Sequence, residues 1–133
     1  MTRSPIRLVT LLLAMTLATP ALAKPKPVAR AVVDDLGARR YAAVIARLSP
    51  TLAEQLDEAG LQRAWESAQT SYGAFQRRKS MQVSEEEANG VVYTVVDVAC
   101  QGELSEFRVR VTLDGRERVA GLFFLPPVLR FKK

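Results

Sequence analysis

The 133-residue sequence has no histidine, a single cysteine (Cys100) and a single tryptophan (Trp65). Without histidine there is no imidazole general base, no Ser–His or Cys–His nucleophile pair and no histidine-ligated metal site. One cysteine excludes an intramolecular disulfide. In an oxidising compartment a lone thiol is either buried or joined to another chain. No glycine-rich phosphate loop, CxxC or GxSxG is present, and there is no internal repeat or low-complexity tract. The formal net charge is only +5, with Arg3 and Arg7 contributing two and Lys24, Lys26, Lys132 and Lys133 much of the rest. That balance does not point to nucleic acid.

Long apolar runs are equally scarce. The one clear case, Ile6 to Leu17, is too short to span a bilayer and is soon followed by prolines. Arg3 and Arg7 precede it, and the small-residue A-x-A site Ala21-Leu22-Ala23 follows. Residues 1–23 therefore read as a cleavable signal peptide. No cysteine follows the apolar run, which argues against lipid attachment. The expected destination is the periplasm or the extracellular space, with no stable membrane span.

Lys24 to Pro27 reads as a stiff extended leader, and residues 28–133 as one α+β domain. Val28, Val32 and Leu36 recur at helical spacing before Gly37. Tyr41, Val44, Ile45 and Leu48 mark a second short helix that stops at Ser49-Pro50. Thr51 and Glu54 have capping-box spacing for a third, with Leu52 and Leu56 facing the core and Gly60 breaking it. A central helix follows, in which Leu61, Ala64, Trp65, Ala68 and Tyr72 form one stripe and Gly73 closes the end.

After Gly73 the period changes to two. Asn89-Gly90 predicts a two-residue hairpin that sets Val83 opposite Val96 and Met81 opposite Val98. A two-residue loop at Gly102-Glu103 would set Phe107 opposite Val98, Val109 opposite Val96, Val111 opposite Thr94 and Asp97 across from Arg108. At Asp114-Gly115-Arg116 two registers stay open. One sends Ala120, Leu122 and Phe124 inward, the other Val119, Gly121 and Phe123. Pro126-Pro127 ends the last strand. The expected architecture is N-terminal helices packed on a four-stranded antiparallel meander.

A pocket between helices and sheet would be lined by Trp65, Tyr72, Lys79, Thr94, Val96, Val98 and Val109, in which only Thr94, Lys79 and Tyr72 bring polar groups. No catalytic residue, metal ligand or cofactor site is expected there. On the opposite face Asp97–Arg108 reads as a cross-strand ion pair. Glu85-Glu86-Glu87 and Asp34-Asp35 read as solvated charges. The alternation of a strand keeps Arg77-Arg78-Lys79 from forming one continuous phosphate-binding patch.

The helix LQRAWESAQTSYGAF and the late strand VRVTLDGRERVAGLFFLPP together resemble the bacterial secreted domain of unknown function 3887. Leu61, Ala64, Trp65, Gly73, Phe75, Asp114, Gly115, Gly121, Leu122, Phe123, Phe124 and Pro126 carry the likeness, and VVDDLGARRYAAVIARLSPTLAEQL extends it toward the N-terminus. The resemblance implies the cystatin-like, nuclear-transport-factor-2-like α+β fold, a curved sheet wrapped on helices around a possible pocket. It implies no established reaction. In that family the domain often precedes an α/β-hydrolase, and here the module is expected without one. Three functional readings follow. A secreted non-catalytic module would bind a small apolar ligand or a protein partner, or form a homodimer through its sheet. A small pocket enzyme of the isomerase or hydrolase type would need Asp97 or Lys79 as its titrating group. An accessory subunit would serve a separately encoded hydrolase.

Overall fold

A computed structural model of the protein describes residues 24–128, and the proposed signal peptide lies outside the described residues. Four helices precede four strands: α1 Pro25–Gly37, α2 Tyr41–Ile45, α3 Pro50–Gln55, α4 Glu58–Tyr72, β1 Phe75–Ala88, β2 Val91–Gly102, β3 Glu106–Leu113 and β4 Val119–Leu125. The strands form one antiparallel sheet in the order β1-β2-β3-β4. The helices cover one face of it, which is the expected α+β arrangement.

Helix α1 begins at Pro25, inside the segment expected to be an extended leader. First-turn amides have no intrahelical partner and proline has none to lose, so Pro25 and Pro27 fit the first turn. Ala29, Val32, Val33 and Leu36 are the buried stripe of α1. Two helix starts differ from expectation. Ser49, not Thr51, caps α3, its hydroxyl accepting the Leu52 amide at 3.3 Å with Pro50 next in line. Asp57 caps α4 by accepting the Gly60 amide at 2.7 Å, so Gly60 lies within the first turn of that helix rather than ahead of it. A Cβ on Gly60 would lie 3.1 Å from the capping carboxylate, so glycine leaves the cap room.

The first hairpin has the predicted register, with Met81 opposite Val98 and Val83 opposite Val96. Asn89 and Gly90 both take positive φ, 54° and 79°, as a type I′ turn demands. The second hairpin is slipped by two residues from expectation. Val109 pairs with Val98, Val111 with Val96, Phe107 with Cys100 and Arg110 with Asp97. Its loop is Glu103-Leu104, closed by the Gly102 amide donating to the Ser105 carbonyl at 2.9 Å. The reason lies in α4. The amides of Leu104 and Ser105 both donate to the Tyr72 carbonyl, and that of Glu103 to Ala74, so the loop satisfies the end of the helix.

The third turn combines both open registers. Gly115 to Glu117 form a three-residue loop with Glu117 at φ 62°, and Val119 points inward opposite Leu113. A bulge at Ala120 then resets the strand so that Leu122 and Phe124 join the core and Phe123 stays half exposed. Residues Arg47 to Ser49 run parallel to the start of β4, exchanging two backbone hydrogen bonds of 2.8 Å with Val119.

Trp65 is 1% exposed and sits among Phe75, Phe107 and Phe124 at ring-centroid distances of 5.5–6.0 Å. Val32, Val44, Val96, Val98, Val109 and Val111 complete the fill between the layers. Full burial of each such aliphatic side chain contributes about 1.5–3 kcal/mol, which makes this inner layer the principal source of stability.

Candidate functional site

The predicted pocket residues divide three ways. Trp65, Val96, Val98 and Val109 meet in the core cluster, each at most 1% exposed, and Tyr72 packs against it, stacked on Phe107 at 5.1 Å and 7°. Thr94 is half buried on the same face, opposite Glu85 on one side and Leu113 on the other.

Lys79 faces the other way, a correction to its expected position. Bulges at Gln76 and at Lys79 interrupt β1, so Arg78 pairs with Cys100 and takes the helix-facing position. Its guanidinium holds Asp34 of α1 at 2.7 and 3.2 Å. That hydrogen bond raises the Arg78 pKa further, and the cation is spent on a neighbouring helix rather than on a cavity. Lys79 bonds to Glu106 on the outward face.

The outward face of the sheet is left uncovered by the helices. An open groove of about 440 Å³ runs over it, lined by Ser80, Gln82, Asp97, Ala99, Glu106, Phe107, Arg108, Pro127 and Val128. Two of its residues, Asp97 and Arg108, belong to a clamp of three charges on the same face. Arg110 grips Asp97 through two bonds, 2.8 Å from Nε to Oδ1 and 3.0 Å from Nη2 to Oδ2. Arg108 approaches the same carboxylate at 3.6 Å and donates from Nε to the Pro126 carbonyl at 2.9 Å. The expected Asp97–Arg108 pair is thus diagonal, and Arg110 is the direct partner. Hydrogen bonding to Asp97 raises the Arg110 pKa.

Both Asp97 oxygens accept N–H donors from Arg110, which leaves further acceptor sites on the carboxylate. The one thiol is Cys100. Burial among the valines pushes Cys100 up to about 12, so it is protonated at neutral pH. Among the described residues no group of three or more Cys, Asp or Glu side chains is arranged to hold a metal ion, and no helix is long and apolar enough to cross a membrane. Sequence reasoning missed Pro127 and Val128 as lining residues, because nothing in their composition tells where a strand's exit segment turns.

A family model described as Protein of unknown function (DUF3887) matches residues 29–122, from the first turns of α1 to the middle of β4. The chain belongs to this family. The match takes in Trp65, the Tyr72–Gly102 junction and the Asp97 clamp, so both faces of the sheet fall within DUF3887. No curated protein and no solved structure matches the chain.

Proposed function

We propose that this DUF3887 chain is an exported, non-catalytic module that recognises a protein partner across the outward face of its sheet. One observation carries the reading. The helix-covered face is filled by side chains that are nearly all inaccessible, while the uncovered face presents a clamped Asp97–Arg108–Arg110 cluster beside the half-exposed Phe123. A central apolar contact rimmed by satisfied charges is what a specific protein surface requires. A small apolar ligand would instead need space between helices and sheet, where Trp65, Val96, Val98 and Val109 already sit. The signal-peptide pattern of residues 1–23 supports export.

The test is a tagged chain recovered from the cell envelope, with its bound proteins and small molecules identified by mass spectrometry. The chain should begin at Lys24 and carry a protein partner that is lost on Arg110→Ala and on Phe123→Ser but kept on Leu104→Ser, an exposed site in the β2–β3 loop away from the groove. A stoichiometric small apolar molecule retained by all three variants would overturn the reading.

A further inference from the structure

We infer that β1 is a self-complementary edge, through which two copies join antiparallel to make one eight-stranded sheet about a two-fold axis at Gln82. The inference concerns the edge and stands apart from the outward-face reading above.

β1 is the terminal strand of the sheet, and from Ser80 to Ala88 its register with β2 is regular. In a two-residue hairpin the pair that closes the loop, here Ala88 and Val91, exchanges both of its hydrogen bonds. The alternation of an antiparallel ladder then turns the N–H and C=O groups of Met81, Val83, Glu85 and Glu87 toward the free edge. They form a template for another strand.

The side chains select which strand. Pairing β1 with itself about Gln82 sets Met81 against Val83 of the second copy, and Val83 against its Met81. Val83 is 39% exposed, an unusual state for a valine on the core-facing side of a sheet. Four apolar side chains would thus meet across the axis on the helix side, and Ser80 would meet Ser84 on the outward side. Beyond this centre, past the bulge at Lys79, the basic start of β1 approaches the acidic segment Glu85-Glu86-Glu87 of the other copy; Arg78 and Lys79 keep their own partners Asp34 and Glu106, and Arg77 is the cation left to meet it. Moving the axis to Val83 would set Met81 against Glu85, so one register satisfies both the apolar centre and the charged flanks. The same charges repel a parallel copy, which would align acid with acid. An isologous contact of this kind closes as a dimer and leaves no growing edge at β1.

Two variants separate this edge from other dimers. Val83→Pro removes an edge-facing amide and leaves the ladder to β2 intact, so the fold should survive while the dimer dissociation constant rises at least about tenfold. Gln82→Cys places a thiol at a non-hydrogen-bonded pair on the axis, where Cα atoms lie about 4.5 Å apart, within reach of a disulfide. It should yield a covalent dimer on a non-reducing gel, and Ser84→Cys much less, the buried Cys100 staying silent. Sedimentation of the wild-type chain should show a dimer weakened by salt. Mixing an Arg77→Glu/Arg78→Glu/Lys79→Glu variant with a Glu85→Lys/Glu86→Lys/Glu87→Lys variant should form mixed dimers where neither self-associates. A wild-type monomer at high protein concentration would overturn the inference. So would a dimer indifferent to Val83→Pro, which would place the contact on another surface.

Discussion

Gly102 lies against the carbonyl of Tyr72 so closely that a Cβ on it would collide with that oxygen, and would stand 2.9 Å from the Ser105 carbonyl as well. The glycine is required by the approach of a helix end to a strand end. Its φ is not in the left-handed region. Gly102→Ala should therefore destabilise the domain by about 1–3 kcal/mol, as other overpacked sites do. Gly115 has nothing within 4 Å of a built Cβ and an ordinary φ. Gly115→Ala should be neutral or stabilising by about 0.4–1 kcal/mol through the unfolded chain. Urea unfolding of the two variants checks both signs, and equal losses would mean that the contact is not what holds Gly102.

The turn before β4 gives a second expectation. Burial alone would raise the Asp114 pKa, but the amides of Arg118 and Arg116 and the Arg118 guanidinium all donate to the carboxylate at 2.9–3.0 Å and bring it below its ordinary value of 3.8. A lowered carboxyl stabilises the fold at pH values above that of the unfolded chain, and the benefit is lost as pH falls through the folded value. Asp114→Ala should cost about 1–3 kcal/mol at neutral pH, the usual penalty for losing hydrogen bonds to a charged group. The difference from wild type should shrink below about pH 4. Thermal unfolding at both pH values measures it.

Some of this was legible in the sequence, and the limits have physical causes. The Asn89-Gly90 register followed from backbone chemistry, because few residue pairs tolerate two positive φ angles. The second hairpin could not be settled the same way. A slip of two leaves every side chain on its own face, so the apolar pattern of Val96, Val98, Val109 and Val111 fits either register. What decided it was the unpaired carbonyl of Tyr72, a tertiary demand. The bulges at Lys79 and Ala120 are one-residue events that alternation cannot anticipate. The first exchanged the faces of Lys79 and Arg78, and the second let Val119, Leu122 and Phe124 all face inward. The residues bounding a pocket were visible as a pattern, but whether Trp65 and three phenylalanines fill it depends on volumes that no pattern contains.

Cys100 offers a test of that filling. Its side chain is 0% exposed, and burial raises its thiol from 9.0 to about 12. The native chain should react slowly with a thiol reagent at neutral pH and rapidly in denaturant. A raised acid contributes stability that is complete below the unfolded value and fades as pH rises toward the folded one. As pH rises above about 9 wild type should lose stability progressively relative to Cys100→Val, which has no proton to release. Parallel stability curves for the two proteins above pH 9 would show that water reaches the thiol.

Asp97 separates recognition from catalysis. Its carboxylate is about a quarter exposed and held by Arg110 in a two-bond grip with Arg108 near. Asp97→Asn keeps the shape and one acceptor, but leaves two guanidinium groups facing each other without a counter-charge. The cost should be about 1–2 kcal/mol, above that of a fully solvated pair because part of the cluster is desolvated. A double-mutant cycle with Arg110→Gln should show a favourable coupling between the two residues, since they contact directly. Functionally, Asp97→Asn should weaken partner capture in step with Arg110→Ala, because both loosen the same surface. An enzyme built on Asp97 would behave differently, with turnover abolished by Asp97→Asn and retained by Arg110→Gln, which spares the carboxylate. One substrate screen run on wild type and both variants distinguishes the cases, and turnover that vanishes with Asp97→Asn alone would end the non-catalytic reading.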